Sequence, residues 1–278
     1  MSFLEGIDAR EVAPDTFSAT YPRWFDGDRV FGGLVLAQAV TAAGRTVEGP
    51  EVLHSLHGYF LRPATPGQDS TISVERRRDG RSFVTRTTST RVDGKETFMM
   101  SASFQRPEHG EEYQLPLEPL HAPDDDDPSI EEDGPFAVLE RGPTTQRADG
   151  TYASTRRAWI RCREHLGSDP LRHLAAVAYA SDMTRAAFRP RSLGTWGAHV
   201  DASLDHAVWF HQPSDLNRWH HFDLHTLITG GGRSFMRGTL ADEAGRLVAS
   251  MAQEILIRRL DGGRPVDFGD PNHPVPSP

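Results

Sequence analysis

Three polar side chains lie at positions that the hydropathy pattern assigns to buried faces. Asp182 continues the apolar stripe of a predicted helix that begins near residue 171. Gln253 interrupts the apolar face of the last predicted strand, and Ser203 opens a long aromatic strand. Because an unpaired buried carboxylate is costly, Asp182 must be paired, hydrogen-bonded or functional there. It is therefore a candidate acid or base, and the amide of Gln253 also needs partners.

Each of these residues also has a purely structural interpretation. If the helix ends just before Asp182, this residue is a solvated end residue or a cap. Gln253 can bond to backbone at an irregularity of the sheet, and Ser203 can be a strand-end hydroxyl. In strict alternation Ser203 and Asp205 share one strand face and His206 lies on the other. Asp205 and His206 are therefore rival acid–base candidates.

Several other chemistries are absent from the sequence. It lacks a Gly-x-Ser-x-Gly elbow, a phosphate-binding Gly-x-x-x-x-Gly-Lys-Ser/Thr loop and a Gly-x-Gly-x-x-Gly loop after a strand. His220 and His221 are adjacent, while His206 and His211 are five apart and fall on opposite strand faces. Cys162 is the only cysteine, which excludes an internal disulfide and a cysteine-based zinc cluster. We predict neither a metal nor a cofactor.

The elements that must position the candidate residues occur twice along the chain. Residues 54–63, 80–83 and 101–105 recur in the same order as residues 205–213, 232–235 and 249–253. The matched landmarks, at offsets of 150, 152 and 148 residues, are Pro63 and Pro213, Gly80 and Gly232, and Gln105 and Gln253. The pattern predicts an internal duplication of a unit of about 110 residues.

Each unit is predicted to hold one long helix followed by several strands. The helical patterns cover residues 36–47, just after Gly32-Gly33, and residues from 171 onward. The predicted strands are 17–21, 55–61, 71–76, 83–92 and 97–105, then 157–163, 202–211, 221–226, 234–240 and 246–258. This order favours an antiparallel sheet with a helix on one face in each unit, and two such sheets can join edge to edge.

The charge is concentrated in one segment between the units. The chain of 278 residues has a formal net charge of −9, but eleven of its 39 acidic residues lie in residues 107–134, which contain no Lys or Arg. Outside this segment the chain has 28 acidic and 30 basic residues. Four consecutive aspartates between two prolines indicate a solvated linker. The predicted division is a first unit (1–106), an acidic linker (107–149), a second unit carrying the candidate site (150–260) and a tail (261–278).

The composition also excludes several classes of protein. No apolar run approaches the roughly 20 residues that a membrane-spanning helix needs. The first residues lack a basic region followed by an apolar one, so we expect no signal peptide. No block rich in Lys or Arg points to nucleic acid. The single cysteine suits a reducing compartment, and we expect a cytoplasmic protein.

The repeated blocks resemble the acyl-CoA thioesterase II family, the TesB type. The resemblance runs from about residue 17 to residue 258 and is carried by residues 32–39 (GGLVLAQA), 54–63 (HSLHGYFLRP), 78–83 (RDGRSF), 178–182 (AYASD), 203–211 (SLDHAVWFH) and 248–254 (VASMAQE). It implies an α+β double hotdog fold and an acyl-CoA thioesterase that hydrolyses medium- to long-chain fatty acyl-CoA to free fatty acid and CoA. It also implies a homo-oligomer.

The resemblance further implies a catalytic set of Asp182, Ser203 and Gln253. In the family an Asp on the second helix, a Thr or Ser at the start of the next strand and a Gln on the last strand activate a water molecule. The serine departs from the threonine of the best-known bacterial member but keeps the hydroxyl. Backbone N–H groups near Gly32-Gly33 are candidates for stabilising the thioester oxygen. Four arginines near a turn are candidates for the phosphates of CoA: Arg76, Arg77, Arg78 and Arg81.

Two rival functions stay open at this point. The first is a hotdog enoyl-CoA hydratase with Asp205 and His206 as its acid–base pair, although their positions on opposite faces argue against a shared site. The second is a non-catalytic acyl-CoA-binding protein, against which the complete Asp182, Ser203 and Gln253 set argues.

Overall fold

The computed structural model describes residues 1–24, 28–115, 117, 121–141, 155–183, 199–261 and 264–265. The helices are α1 (Phe3–Ile7), α2 (Gly32–Arg45) and α3 (Pro170–Ser181). The strands of the first half are β1 (Arg10–Ala13), β2 (Thr16–Thr20), β3 (Val52–Phe60), β4 (Asp69–Asp79), β5 (Phe83–Val92) and β6 (Lys95–Gln105). They are followed by β7 (Glu131–Asp133), β8 (Phe136–Glu140), β9 (Thr155–Cys162), β10 (His199–Ser203), β11 (Asp205–Phe210), β12 (His220–Gly230), β13 (Arg233–Asp242), β14 (Leu247–Asp261) and β15 (Arg264–Pro265).

Antiparallel pairing joins the strands of both halves into one sheet. The order is β1-β2-β4-β5-β6-β3-β11-β14-β13-β12-β9-β8-β7, and β10 also pairs with β14. The two halves meet where β3 pairs with β11, with Tyr59 opposite Asp205 and Ser55 opposite Trp209. Counted outward from the junction, the first six strands of the two halves correspond, and β7 is an additional strand at the far edge of the second half. The edge-to-edge joining of two similar sheets is therefore present in the structure.

The two long helices pack against each other inside the curved sheet. From Gly33 to Ala43 every residue of α2 is buried, which agrees with its nearly continuous run of small and apolar side chains. The helices run antiparallel, because the start of α2 meets the end of α3. At that point a Cβ on Gly33 would overlap the carbonyl oxygen of Tyr179, so only glycine allows this approach. In α3, Asp169 caps the first turn and Pro170 occupies its first position.

The segment predicted as a linker contributes strands to the sheet. In β8, Phe136 to Leu139 are all buried, and the strand pairs with β9. The aspartate run lies on the second unit, because Asp125 accepts hydrogen bonds from Arg161 (2.5 Å) and from the indole of Trp219 (3.0 Å). The composition of residues 107–134 hid the apolar run that follows it. Residues 116, 118–120 and 142–149 of this segment lie outside the described residues, as does most of the predicted tail.

Within the described part of the chain, no helix is both long and apolar enough to cross a membrane.

Candidate active site

The side chains of Asp182, Ser203 and Gln253 meet in a triangle of hydrogen bonds. Gln253 Nε2 donates to Asp182 Oδ1 at 2.6 Å and to Ser203 Oγ at 2.8 Å. Ser203 Oγ donates to the same carboxylate oxygen at 3.4 Å. Asp182 is 4% exposed and Gln253 is 2% exposed. The carboxylate is therefore buried and hydrogen-bonded to two neutral donors.

Asp182 owes its position to the end of α3. It is the C-cap residue, with φ −92° and ψ 2°, and its backbone N–H bonds to the carbonyls of Tyr179 and Ala180. The structural interpretation was therefore right that the helix ends before this residue. It was wrong about solvation, because the apolar stripe carries Asp182 into the interior.

A β-bulge places Ser203 and His206 on the same side of the sheet. Ser203 pairs with Ile255, and Ala207 pairs with Ala252, so one extra residue is inserted on the side of β10 and β11. Strict alternation predicted opposite faces for Ser203 and His206, and this prediction was wrong because it does not allow for the bulge. The predicted strand 202–211 is accordingly divided at Leu204.

His206 is fully buried behind the triangle. Its Nε2 lies 2.7 Å from the hydroxyl of Ser181, the residue before Asp182. Burial lowers the pKa of His206 to about 4, with Asp205 and a hydrogen bond to the Gln253 side chain acting in the opposite direction. The ring is therefore neutral near pH 7.

Asp205 points to the other face of the sheet. Its Oδ1 accepts from the backbone N–H of Glu254 at 2.7 Å, and its Oδ2 lies 3.2 Å from His57 Nε2. The rival acid–base pair of Asp205 and His206 is thus split between two environments.

A cavity of about 790 Å³ opens beside Asp182 and Ser203. Apolar side chains from α2, α3 and the sheet line it, among them Val30, Val35, Phe60, Phe98, Tyr179 and Ile255. Gly32, the first residue of α2, also lines it. A Cβ on Gly32 would lie 2.6 Å from Asp182 Oδ2, so a side chain at this position would displace the carboxylate. The carboxylate therefore lies beside the first turn of α2.

Sequence reasoning missed Arg156, which also lines the cavity. Its Nε and Nη2 donate to Glu140 Oε1 at 2.8 and 2.6 Å, and its Nη1 donates to the carbonyl of Met183. Arg156 thereby fixes the chain directly after Asp182. The sequence could have indicated its burial, because Arg156 lies two residues before Ala158 on the strand face that also holds Ile160 and Cys162.

The arginines predicted for CoA lie at the other end of α2. Arg76 is paired with Asp15 and Glu48 at 3.0 Å, and Arg77 is paired with Glu75 at 2.7 Å. Glu48 follows the C-terminal end of α2, whereas Asp182 lies at its N-terminal end, about 20 Å away for a helix of 14 residues. Among the described residues, the arginines that line the cavity are Arg29, Arg62 and Arg156.

Gln105 does not occupy the place in the first unit that Gln253 has in the second. In the first unit Gln105 pairs with Phe83, which is the counterpart of Phe235 in the repeat. In the second unit Gln253 pairs with Met236, the residue after Phe235. Gln105 therefore lies on the outer face with the exposed Met99. The interpretation of Gln105 as the counterpart of Gln253 was wrong by one residue of register.

Two family models cover most of the chain. The model described as acyl-CoA thioesterase N-terminal domain matches residues 20–105, and the one described as acyl-CoA thioesterase C-terminal domain matches residues 114–257. Among curated proteins, acyl-CoA thioesterase 2 of Haemophilus influenzae is 31% identical, over 83% of this chain and 88% of that protein. Human acyl-coenzyme A thioesterase 8 is 29% identical, over 84% of this chain and 82% of its own length.

Solved structures give the same result. The acyl-CoA thioesterase II TesB2 of Mycobacterium marinum is 32% identical with a TM-score of 0.79, covering 93% of this chain and 98% of that one. A protein from Alicyclobacillus acidocaldarius, described as having a hot dog fold, has a TM-score of 0.74 at 17% identity, covering 92% and 98%. The second likeness shows the fold alone.

Proposed function

The chain belongs to the acyl-CoA thioesterase family, and we propose that it hydrolyses acyl-CoA thioesters with a water molecule activated at Asp182, Ser203 and Gln253. The observation that carries this proposal is the hydrogen-bonded triangle of the three side chains beside an apolar cavity. The buried carboxylate and the hydroxyl of Ser203 can both contact one water molecule, and the amide of Gln253 holds these two groups in place.

In this mechanism Asp182 orients the water and receives its proton. Oδ1 accepts from Gln253 and Ser203, and Oδ2 lies at the start of α2. General-base assistance of this kind contributes about 10²–10⁴-fold to the rate. Water attacks the thioester carbon directly, and the thiolate of CoA leaves. Among the side chains that the structure describes, no histidine serves Ser203 as a base, since His206 bonds to Ser181, and we therefore expect no acyl-serine.

The thioester oxygen needs donors as negative charge develops on it. We assign this role to the first backbone N–H groups of α2, which begins at Gly32. The first N–H groups of a helix have no partner within it, and Phe31 at the N-cap has no side-chain acceptor to offer them. The absence of a side chain on Gly32 lets the reacting group approach both this end of the helix and Asp182.

We place the acyl chain in the cavity between the helices and the sheet, which suits a medium- to long-chain fatty acyl group. The phosphates of CoA then fall on Arg29 and Arg62, both exposed at the cavity. Replacing these two with alanine should raise KM several-fold and leave kcat nearly unchanged. The same changes at Arg77 and Arg81 are the matched control, and a larger rise in KM there would favour the arginine turn instead.

The architecture and assembly belong to the same proposal. Each half contributes one long helix and an antiparallel sheet, which supports a double hot dog. We further propose a homo-oligomer, because the outer face of the sheet exposes Tyr59, Met99 and Trp209. Light scattering of the purified chain measures its mass directly. The free, buried Cys162 is compatible with the expected cytoplasmic location.

Incubation of the enzyme with saturated acyl-CoA of several chain lengths tests the reaction itself. We expect free thiol from saturated substrates, and ¹⁸O from labelled water in the fatty acid after a single turnover. Hydration of an enoyl-CoA without thiol release would favour the hydratase. Stoichiometric binding without turnover would favour a carrier.

A further inference from the structure

His206 lies across from Gln253 in the pairing of β11 with β14. Ala207 pairs with Ala252 and Val208 with Met251, so His206 and Gln253 occupy the next opposed positions along the strands. Side chains at such positions lie on one face, with Cβ atoms about 4.5–5.5 Å apart. His206 is 0% exposed and Gln253 is 2% exposed, so water has little access to either.

The amide of Gln253 is held at its nitrogen end by the triangle. Because Nε2 gives its two hydrogens to Asp182 and Ser203, the carbonyl oxygen Oε1 faces the other way. Oε1 and Nδ1 of His206 are both buried, and neither has a hydrogen-bonding partner elsewhere in the described residues. These two atoms are therefore the natural partners of each other.

The protonation of His206 determines whether that pairing works. The ring is neutral, since burial lowers its pKa to about 4, and it carries one N–H. With the hydrogen on Nε2, lone pairs of Nδ1 and of Gln253 Oε1 would face each other. With the hydrogen on Nδ1, the amide oxygen is satisfied. Nε2 then accepts a hydrogen bond from the hydroxyl of Ser181, whose oxygen lies 2.7 Å away. The same hydroxyl lies 2.8 Å from the carbonyl oxygen of Ala178, and it gives its hydrogen to His206 instead.

We propose that His206 is a positioning residue, which donates from Nδ1 to Gln253 Oε1 while Ser181 holds its Nε2. A Gln253 amide turned by 180° would aim Oε1 at the carboxylate of Asp182 and lose both donated hydrogen bonds. His206 prevents this turn and acts on the reaction only through Gln253. The inference rests on the proposed function, since it concerns the same water site.

The first unit supports a functional reason for this buried polar pair. Phe104 is the structural counterpart of Gln253, because it pairs with Val84 in the way that Gln253 pairs with Met236. On its other side Phe104 lies opposite Leu53, which takes the place of His206. Leu53 and Phe104 are both buried and apolar. The same sheet position is thus filled without polar groups, so the fold itself does not require His206 and Gln253.

Kinetics of thiol release test the role of the ring. We expect His206→Phe to lower kcat by about 10–100-fold, the loss typical when the outer partner of an active-site group is removed. KM should change by less than about twofold. His206→Asn places a donor near Nδ1 and should recover most of the rate. The matched control is His220→Phe, a buried histidine bonded to Ser214 and Arg218, which should keep kcat.

A double-mutant cycle separates this role from a general structural one. In a Gln253→Ala background, His206→Phe should lower kcat by no more than about a further twofold, because its only route to the water is gone. Losses that multiply would overturn the proposal, as would a His206→Phe enzyme with unchanged kcat.

The tautomer can be read in the unaltered protein, even if a variant fails to fold. In protein labelled with ¹⁵N-histidine, the His206 signal, assigned by its loss in whichever of His206→Asn and His206→Phe folds, should show hydrogen on Nδ1. Hydrogen on Nε2 would overturn the proposal. If Asp182→Asn keeps full activity, the proposed function itself fails; if Asp182→Asn is inactive while His206→Phe keeps kcat, only this inference fails.

Discussion

At the end of α3 the C-cap residue is Asp182, and at the end of α2 it is Thr46. The first end opens on a cavity with Ser203 and Gln253 around the carboxylate. The second end is filled by Arg86, whose guanidinium donates to Thr46 Oγ1 at 2.8 Å and to Thr46 O at 3.2 Å. These two ends occupy equivalent places in the repeated units.

Arg86 makes the end of α2 a structural site. Besides Thr46, it donates to the carbonyls of Arg78 and Thr85 and to the carboxylate of Asp79 at 2.6 Å. It thereby supplies a donor to the carbonyl of Thr46, at the helix end, and ties that end to two strands. The comparison teaches that the duplicated scaffold needs chemistry at only one end, because a buried cation and apolar neighbours fill the other.

Among the substitutions that test this comparison, Asp182→Asn should have the largest effect on kcat. We expect kcat to fall by about 10³-fold, because the amide cannot receive the proton of water. The fold should persist, since the two side chains have the same shape. Thr46→Val, at the equivalent cap, is the control and should keep kcat within twofold. A residual rate near one half in Asp182→Asn would mean that both ends hydrolyse substrate.

Replacement of Ser203 by Ala should have an intermediate effect. Loss of one hydrogen bond to the carboxylate and its water should lower kcat by about 10-fold, which corresponds to 1.4 kcal/mol. Ser203→Thr retains the hydroxyl and should stay within about threefold of the parent rate. Complete inactivity of Ser203→Ala, together with an acyl-serine trapped at Ser203 of the unaltered enzyme, would show a nucleophile instead.

Replacement of Arg86 by Met should have the smallest effect on catalysis. We expect kcat at 25 °C to change by less than twofold. The free energy of unfolding should fall by about 3 kcal/mol, because several buried carbonyls lose their donor. The melting temperature, followed by circular dichroism, should drop by several degrees. A large fall in kcat at unchanged stability would mean that this end is not merely structural.

Much of the fold was predicted from the hydropathy pattern alone. The strand predicted over residues 83–92 has the bounds of β5, and the helical stripe led correctly to the burial of Asp182. The strand β8 was missed because its five residues follow an acidic run. Local periodicity predicts where a helix or strand lies in the sequence, but not which element it packs against. The sequence therefore could not show that Arg76 lies far from the cavity.

The geometry around the candidate site was harder to predict, since single-residue shifts decide it. The bulge at Leu204 places His206 on the same face as Ser203, whereas strict alternation predicted opposite faces. A shift of one residue likewise separated Gln105 from the position of Gln253. In a strand such a shift exchanges the two faces completely, and no motif offset of 148 to 152 residues reveals it.

The matched pair Gln253→Ala and Gln105→Ala tests most directly that chemistry is confined to one end of the helix pair. Both glutamines end the same repeated motif, but only Gln253 touches Asp182. In a thiol-release assay we expect Gln253→Ala to lose about 100-fold in kcat, since two hydrogen bonds that hold the carboxylate and Ser203 disappear. Gln105→Ala should stay within twofold of the parent. Equal losses in the two variants, or no loss in Gln253→Ala, would contradict this account.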